Sequence, residues 1–247
     1  MSSMRIFQSS TLTPNTTVLL DDRASHHIAH VLRKSLGDEI VLFNGDGYEY
    51  VANIIHLHKK GVTVAVAEAL LRDRESPLDL ILAQGIARGD KMDFILQKSV
   101  ELGVAHIYPL ITAHSHKWPK DQIGEKRLQH WQSVVTSACE QSGRNRIPLL
   151  HVPISLSAFL ETIQVDLGFI LSFKKSQPIS VKSKASATSV AVLIGSEGGL
   201  SEAETTAALQ KNFMPLSLGP RTLRTETATI VALSLLQNHY GDVSNSR

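Results

Sequence analysis

Cysteine is almost missing from this chain. Cys139 stands alone in 247 residues, so no internal disulfide can form and a reducing, cytoplasmic setting is expected. No apolar run approaches the roughly 20 residues that span a bilayer, and Met1-Ser-Ser-Met-Arg5 lacks the apolar stretch of a secretion signal, so no membrane partner is expected. An excess of one charge is lacking too. The formal balance is +2, with 8 basic and 9 acidic residues before Pro77 and 17 and 14 from there on, so neither half is a polybasic body. The familiar glycine signatures are also absent. There is no Gly-x-Gly-x-x-Gly and no Gly-Lys-Ser/Thr, and Ile194 sits where a nucleophile elbow around Ser196 needs its first glycine. Eleven histidines invite a metal, yet no His-Glu-x-x-His helix and no cysteine cluster supports one, and none is expected.

Hydrophobic residues make up 43% of the chain, enough for buried cores in one large domain or two. The stretch from residue 1 to 72 reads as a small β domain. Asp38–Phe43 and Tyr48–Ile54 flank Asn44-Gly-Asp-Gly47, a strong hairpin signal, and Val62–Val66 alternates after the Lys59-Lys-Gly61 turn. A short helix carrying His26, His27, Ile28, Val31 and Leu32 is expected to end near Gly37. The charged segment Arg72-Asp-Arg-Glu-Ser-Pro77 sets the boundary, and residues 73–247 read as a second domain. There strands (Leu78–Leu82, Val104–Leu110, Leu167–Leu171, Val190–Ile194) alternate with helices (from Asp90, about Gln122–Gln141, Leu156–Ile163), which calls for a mostly parallel sheet covered on both faces. Cys139 falls on the apolar stripe of the long helix with Trp131, Val134, Val135 and Ala138, a packing position rather than a catalytic one. Lys174–Ser189, rich in Lys and Ser, reads as a surface loop.

The chain is organised around Val190–Ala228. A short apolar strand, Val190–Ile194, delivers the glycine turn Gly195-Ser-Glu-Gly-Gly199, and Ser201 and Glu204 then stand in capping-box spacing. Free backbone N–H groups thereby collect at a sheet end, where a polar ligand can be held. A second strand, Met214–Leu218, ends at Gly219-Pro220, and Arg221, Arg224 and Glu226 crowd the turn before an apolar-periodic helix. Two ordinary strand–helix connections with solvated charges would share that pattern.

These residues match a known family. Leu193-Ile-Gly-Ser-Glu-Gly-Gly-Leu-Ser201 followed by Leu218-Gly-Pro-Arg-Thr-Leu-Arg-Thr-Glu-Thr-Ala228 closely resembles the last two motifs of the RsmE family of SPOUT methyltransferases. Lys98–Val104, Ala138–Arg144 and His27–Arg33 extend the resemblance over nearly the whole chain. The resemblance implies an α/β fold: a SPOUT domain with a trefoil knot and mostly parallel sheet, preceded by a small PUA-like β-barrel that holds RNA. It implies methylation of N3 of a uridine in 16S ribosomal RNA of the small subunit, with S-adenosylmethionine as methyl donor and a homodimer as the working form. A SPOUT enzyme acting on transfer RNA or a ribose hydroxyl, and a non-catalytic RNA-binding protein of the same fold, stand as alternatives.

Carried onto this sequence, the resemblance places the donor among Leu171, Ser172, Leu193, Ile194, Gly195, Glu197, Gly198, Gly199, Leu216, Leu218, Gly219, Leu223 and Thr225. Leu218 and Leu223 suit the faces of adenine, and a Cβ at Gly195, Gly198 or Gly199 would block close approach or forbid φ > 0. Arg221, Arg224 and Glu197 are the catalytic candidates. A guanidinium can stabilise the charge that develops on the uracil oxygens as the N3 proton leaves, and Arg221, nearer the strand end, is favoured. Glu197 is either a catalytic group or a loop-capping one, and the proton acceptor is left open among Glu197, Glu226 and water. RNA contacts are expected from Arg5, Arg33, Lys34, Arg88, Lys91 and Arg144, although any such cluster can equally be a solvated surface.

Overall fold

The computed structural model describes residues 4–58, 61–115, 124–171 and 187–243. Ser172, Lys59, Lys60, His116 and most of the expected Lys/Ser-rich loop lie outside these residues. The chain forms two compact units, Met1–Glu75 with Cys139–Ile147, and Ser76–Ala138 with Pro148–Arg247.

The first unit is a five-stranded sheet in the order β1-β3-β4-β5-β2, from β1 (Arg5–Phe7), β2 (Thr16–Leu19), β3 (Glu39–Phe43), β4 (Tyr48–His58) and β5 (Gly61–Leu71). The β3–β4 hairpin forms where the turn signal stands, with Leu42 opposite Tyr50 and with Gly45 and Gly47 at φ +98° and +96°. The strands pack Ile6, Ile40, Leu42, Ile54, Val62 and Val64 into one core. Helix α1 (Asp22–His26) is capped by Asp21, whose carboxylate accepts from the Ala24 N–H at 2.7 Å. It runs on as a π-helical turn, His27–Val31, and stops earlier than the expected Gly37, with Arg33 at φ +49°.

The unit's later contribution, Cys139–Ile147, is bound by charge. Arg5 pairs with Glu49 and donates to the Arg144 carbonyl and to Asn145 Oδ1; Glu140 accepts from the Phe7 N–H and from Arg23; Arg144 is held by Glu75. The partners that bind it lie 69 to 140 positions away in the chain, so no local pattern announces them. Cys139 is fully buried, and burial pushes its thiol up to about 12, so it stays protonated and shielded. A disulfide reagent at pH 8 is therefore expected to leave the native chain unlabelled and to label it at once in denaturant; rapid native labelling would contradict this packing.

The second unit is built on a parallel sheet in the order β12-β10-β11-β6-β7-β8. Its strands are β6 (Asp79–Gly85), β7 (His106–Ile111), β8 (Leu149–Leu150), β9 (Ile154–Ser155), which pairs with β7, β10 (Leu167–Leu171), β11 (Ser189–Ile194) and β12 (Phe213–Leu216). The helices are α2 (Asp90–Glu101), α3 (Glu125–Ser142), α4 (Leu156–Thr162), α5 (Glu202–Gln210) and α6 (Thr225–Tyr240). β11 is buried from Val190 to Ile194, as its unbroken apolar run requires of a strand covered on both faces. Trp131, Val135, Ala138 and Cys139 form the buried stripe of α3, with Val134 half-buried. Among the described residues no helix is long and apolar enough to cross a membrane, and no group of three or more His, Cys, Asp or Glu could hold a metal ion.

Candidate active site

Strands β6, β10, β11 and β12 run parallel, so their C-terminal ends meet on one edge of the sheet: Ile194 lies opposite Gln84, and Leu171 opposite Leu216. Ligands of open α/β sheets bind outside such strand ends. A cavity of about 780 Å³ opens there, lined by the loop after β11, the start of α5 and the turn leading into α6.

The loop after β11 is a tight turn made by backbone. The Gly199 N–H donates to the Ser196 carbonyl at 2.9 Å, and Gly199 sits at φ +70°. A Cβ on Gly195 would fall 2.6 Å from the Gly199 carbonyl carbon, and one on Gly198 would fall 2.7 Å from His114 Cβ. The capping box forms as expected: Ser201 Oγ accepts from the Glu204 N–H at 3.2 Å and Glu204 Oε2 accepts from the Ser201 N–H at 2.8 Å. The other oxygen of Glu204 accepts from the Ala113 N–H at 2.7 Å, so one carboxylate ties the helix start to the segment after β7.

Of the residues expected to hold a cofactor, Leu171, Ile194, Gly195, Glu197, Gly198, Gly199, Leu223 and Thr225 line the cavity, and Arg224 and Lys91 join them. Leu193, Leu216, Leu218 and Gly219 do not line it. The Leu193 side chain is fully buried and packs in the core of this unit with Ile170 and Phe213. The Thr225 hydroxyl donates to the Gly195 carbonyl at 2.7 Å. Walls unmarked by any motif are added by Leu209 of α5, Pro215 of β12 and Ala228 of α6. Helix periodicity places such residues on a face but does not say that the face is turned to a cavity.

The two arginines part company. Arg224 is the N-cap residue of α6 and lines the cavity, whereas Arg221 is exposed, lies outside the lining, and has its guanidinium 3.9 Å from where a Cβ of Gly219 would stand. Distance along the chain and place in the fold thus point to different arginines: the start of α6 brings Arg224 to the cavity, while Arg221 stands in the turn after Gly219–Pro220. Glu197 accepts from the Arg88 N–H at 3.1 Å and from Lys91 Nζ at 3.2 Å. Burial pushes its pKa up, but the hydrogen bonds from its own and the Arg88 backbone and the pairing with Lys91 outweigh that and hold the carboxyl below its ordinary value.

Among the expected RNA contacts, Arg88 is exposed beside Lys91 at the site. Arg33 is exposed in the first unit, and Lys34 lies 3.8 Å from Asp38. Arg5 and Arg144 keep only 9% and 7% side-chain exposure and face Glu49 and Glu75. Both guanidinium groups hold the first unit together instead of facing solvent.

Comparison with known proteins bears on this geometry. A model of the RNA methyltransferase domain matches residues 74–237, and one of the RNA methyltransferase PUA domain matches residues 20–67. Proteins named ribosomal RNA small subunit methyltransferase E are 34% identical over 238 residues in Buchnera aphidicola (96% of this chain, 94% of that one) and 33% identical over 219 residues in Bacillus subtilis (85% and 86%). The chain belongs to the ribosomal RNA small subunit methyltransferase E family. The family member from Neisseria gonorrhoeae, solved bound to S-adenosylmethionine, superposes with a TM-score of 0.90 at 34% identity, covering 98% of this chain and 100% of that one. A Legionella pneumophila structure described as a methyltransferase in complex with the cofactor reaches 0.95 at 41% identity, with the same coverage.

Two residues of this family member's site went unread in the sequence. Gly85 ends β6 where a Cβ would fall 2.5 Å from the Ser196 nitrogen and 2.9 Å from the Gly195 carbonyl carbon, so two backbones pass with nothing between them. Gln84 before it is fully buried. An isolated glycine and a glutamine inside an apolar strand carry a weak signal, namely that a strand interrupted by both has a neighbour to meet at that point.

Proposed function

We propose that this chain transfers the methyl group of S-adenosylmethionine to N3 of a uridine in 16S ribosomal RNA of the small subunit, in the cytoplasm, with the second unit as the transfer domain and the first as the RNA-holding domain. The observation that carries the reading is the cavity at the strand ends, walled on one side by the glycine turn and on the other by Arg224. Its volume lies within the range of small-molecule sites. Its residues fit the donor: Leu171, Ile194, Leu223 and Pro215 offer apolar walls for a purine, and the carboxylates of Glu197 and Glu202 place negative charge near a cationic ligand. When bound, the donor supplies an electrophilic methyl on a sulfonium.

The protein's own tasks are positioning and charge stabilisation. The glycine turn and Thr225 fix the cavity walls before any ligand enters, which favours an in-line approach. Uracil N3 is hidden in base pairs, so the target base is taken unpaired, and its Watson–Crick edge is then open to side-chain donors. Arg224 faces the oxygens on which charge develops as N3 gives its proton to water and takes the methyl, the donor leaving as the neutral thioether. Glu197, with its pKa depressed and its oxygen engaged by Lys91, is a weak proton acceptor and acts by orienting Lys91 and the segment at Arg88. Glu197→Gln is accordingly expected to retain transfer within about tenfold, whereas loss of a general base costs about 100- to 10,000-fold; single-turnover rates decide between them.

Further parts of the reading are the trefoil knot, which follows from family membership, and a homodimer, supported by the exposure of Leu235 on α6. Sedimentation at micromolar concentration tests the dimer, and a monomer that still methylates would overturn it. Calorimetry with S-adenosylmethionine tests the site, since absence of binding would remove the donor from the account. Because the charge balance is close to even, assembled or partly assembled small subunits are expected to be methylated faster than protein-free RNA; equal rates would contradict that substrate form.

A further inference from the structure

Gln84 is a carboxamide with no solvent exposure, at a position where a strand covered on both faces ordinarily carries an aliphatic residue. Burying such a group is unfavourable unless its hydrogen bonds are made, and here they are. Nε2 donates to the carbonyls of Gly85 at 2.9 Å and Gly195 at 3.2 Å, and lies 3.1 Å from Thr225 Oγ1. Oε1 accepts from Thr229 Oγ1 at 2.8 Å. Thr225 Oγ1 in turn donates to the same Gly195 carbonyl, and Thr229 Oγ1 lies 2.9 Å from the Thr225 carbonyl.

The destinations of these bonds matter more than their number. Gly195 begins the glycine turn and Thr225 begins α6, the helix whose N-cap is Arg224; both line the cavity, and Gln84 does not. A core glutamine that only satisfied itself could do so on any neighbour. This one clamps one wall of the cavity to the other, through a carbonyl that also receives Thr225.

We propose that Gln84 is a positioning residue for methyl transfer: by holding the Gly195 carbonyl and the first turn of α6 in register, it sets the distance between the donor-holding turn and Arg224. The inference rests on the proposed function, and the wild-type chain is the arm that tells the two apart. Gln84→Met keeps the volume and removes the hydrogen bonds, while Thr225 still satisfies the Gly195 carbonyl, so the variant is expected to fold. Affinity for S-adenosylmethionine by calorimetry and the single-turnover rate at saturating donor are each expected to fall by about 10- to 100-fold, since misplacement of under an ångström suffices for such losses.

Gln84→Glu adds a readout that mere packing would not give. Facing two carbonyl oxygens, the ionised carboxylate is repelled, and only the protonated form can donate. Its transfer rate relative to wild type is expected to rise as pH falls from about 8 to 6, because burial and the carbonyls raise the pKa of the introduced group. Should Gln84→Met fail to fold, Thr229→Ala loosens the same network from the α6 side and is expected to give the same double loss. Gln84→Met or Thr229→Ala within twofold of wild type in both measurements, or a Gln84→Glu rate ratio flat with pH, overturns the proposal. A wild-type chain that binds no donor overturns the proposed function and this inference with it.

Discussion

Gly195→Ala is expected to abolish measurable donor binding and to destabilise the chain by about 3 kcal/mol, the upper part of the range for overpacking a rigid site. The new Cβ would stand 2.6 and 2.8 Å from the Gly199 carbonyl carbon and Cα and 2.9 Å from the Leu200 nitrogen. All three are backbone atoms of a turn already closed by the Gly199 to Ser196 hydrogen bond, so no flexible side chain can swing away. The turn must open, and opening it moves the N–H groups and the Gly195 carbonyl that Gln84 and Thr225 hold. For a chain of this size the melting temperature should fall by roughly 6 to 12 °C. Gly199→Ala is the internal control: nothing stands within 4 Å of its Cβ position, and only its φ of +70° is unfavourable, so a loss of about 1 kcal/mol is expected. Equal behaviour of the two variants in thermal melts and calorimetry would show that crowding at Gly195 is not what shapes the turn.

The second large effect is at Arg224. Replacement by Lys keeps the charge but removes the planar fork, so if the guanidinium meets both the base and its developing charge, turnover should drop about 100- to 1,000-fold. Donor affinity should stay within a few-fold, because an interaction realised only in the transition state leaves ground-state binding alone. Arg221→Lys, at the turn outside the cavity lining, should lose less than about tenfold. Single-turnover methylation of both variants at saturating donor decides. A mild Arg224→Lys beside a severe Arg221→Lys would return the role to the residue that distance along the chain favours.

What the sequence made legible is what short-range patterning controls. The unbroken apolar run at Val190–Ile194, the hairpin at Asn44–Gly47 and the Ser201–Glu204 capping box each depend on residues within a few positions, and each formed. So did the parallel sheet, because strands separated by helices leave little other choice. The long-range contacts were illegible. Nothing local to Arg5 or Arg144 announces that they face Glu49 and Glu75, and without those partners they read as free cations. Gln84 and Gly85 were passed over for the same reason: their meaning lies more than a hundred residues on, at Gly195, at the end of the neighbouring strand. Which arginine lines the cavity was not legible either, since position along a turn is a poor guide to direction when Gly219 adopts φ +95°.

The central claim is the chemistry at one atom of one base, and nucleoside mass spectrometry of 16S ribosomal RNA tests it most directly. Small subunits from cells lacking this methyltransferase would be incubated with the protein and isotopically labelled S-adenosylmethionine, and their RNA then digested to nucleosides. The account predicts one labelled product, N3-methyluridine, appearing in proportion to enzyme and absent from the Arg224→Lys reaction on the same timescale. Label on a ribose hydroxyl, on a transfer RNA supplied in competition, or on no nucleoside despite tight donor binding would contradict it.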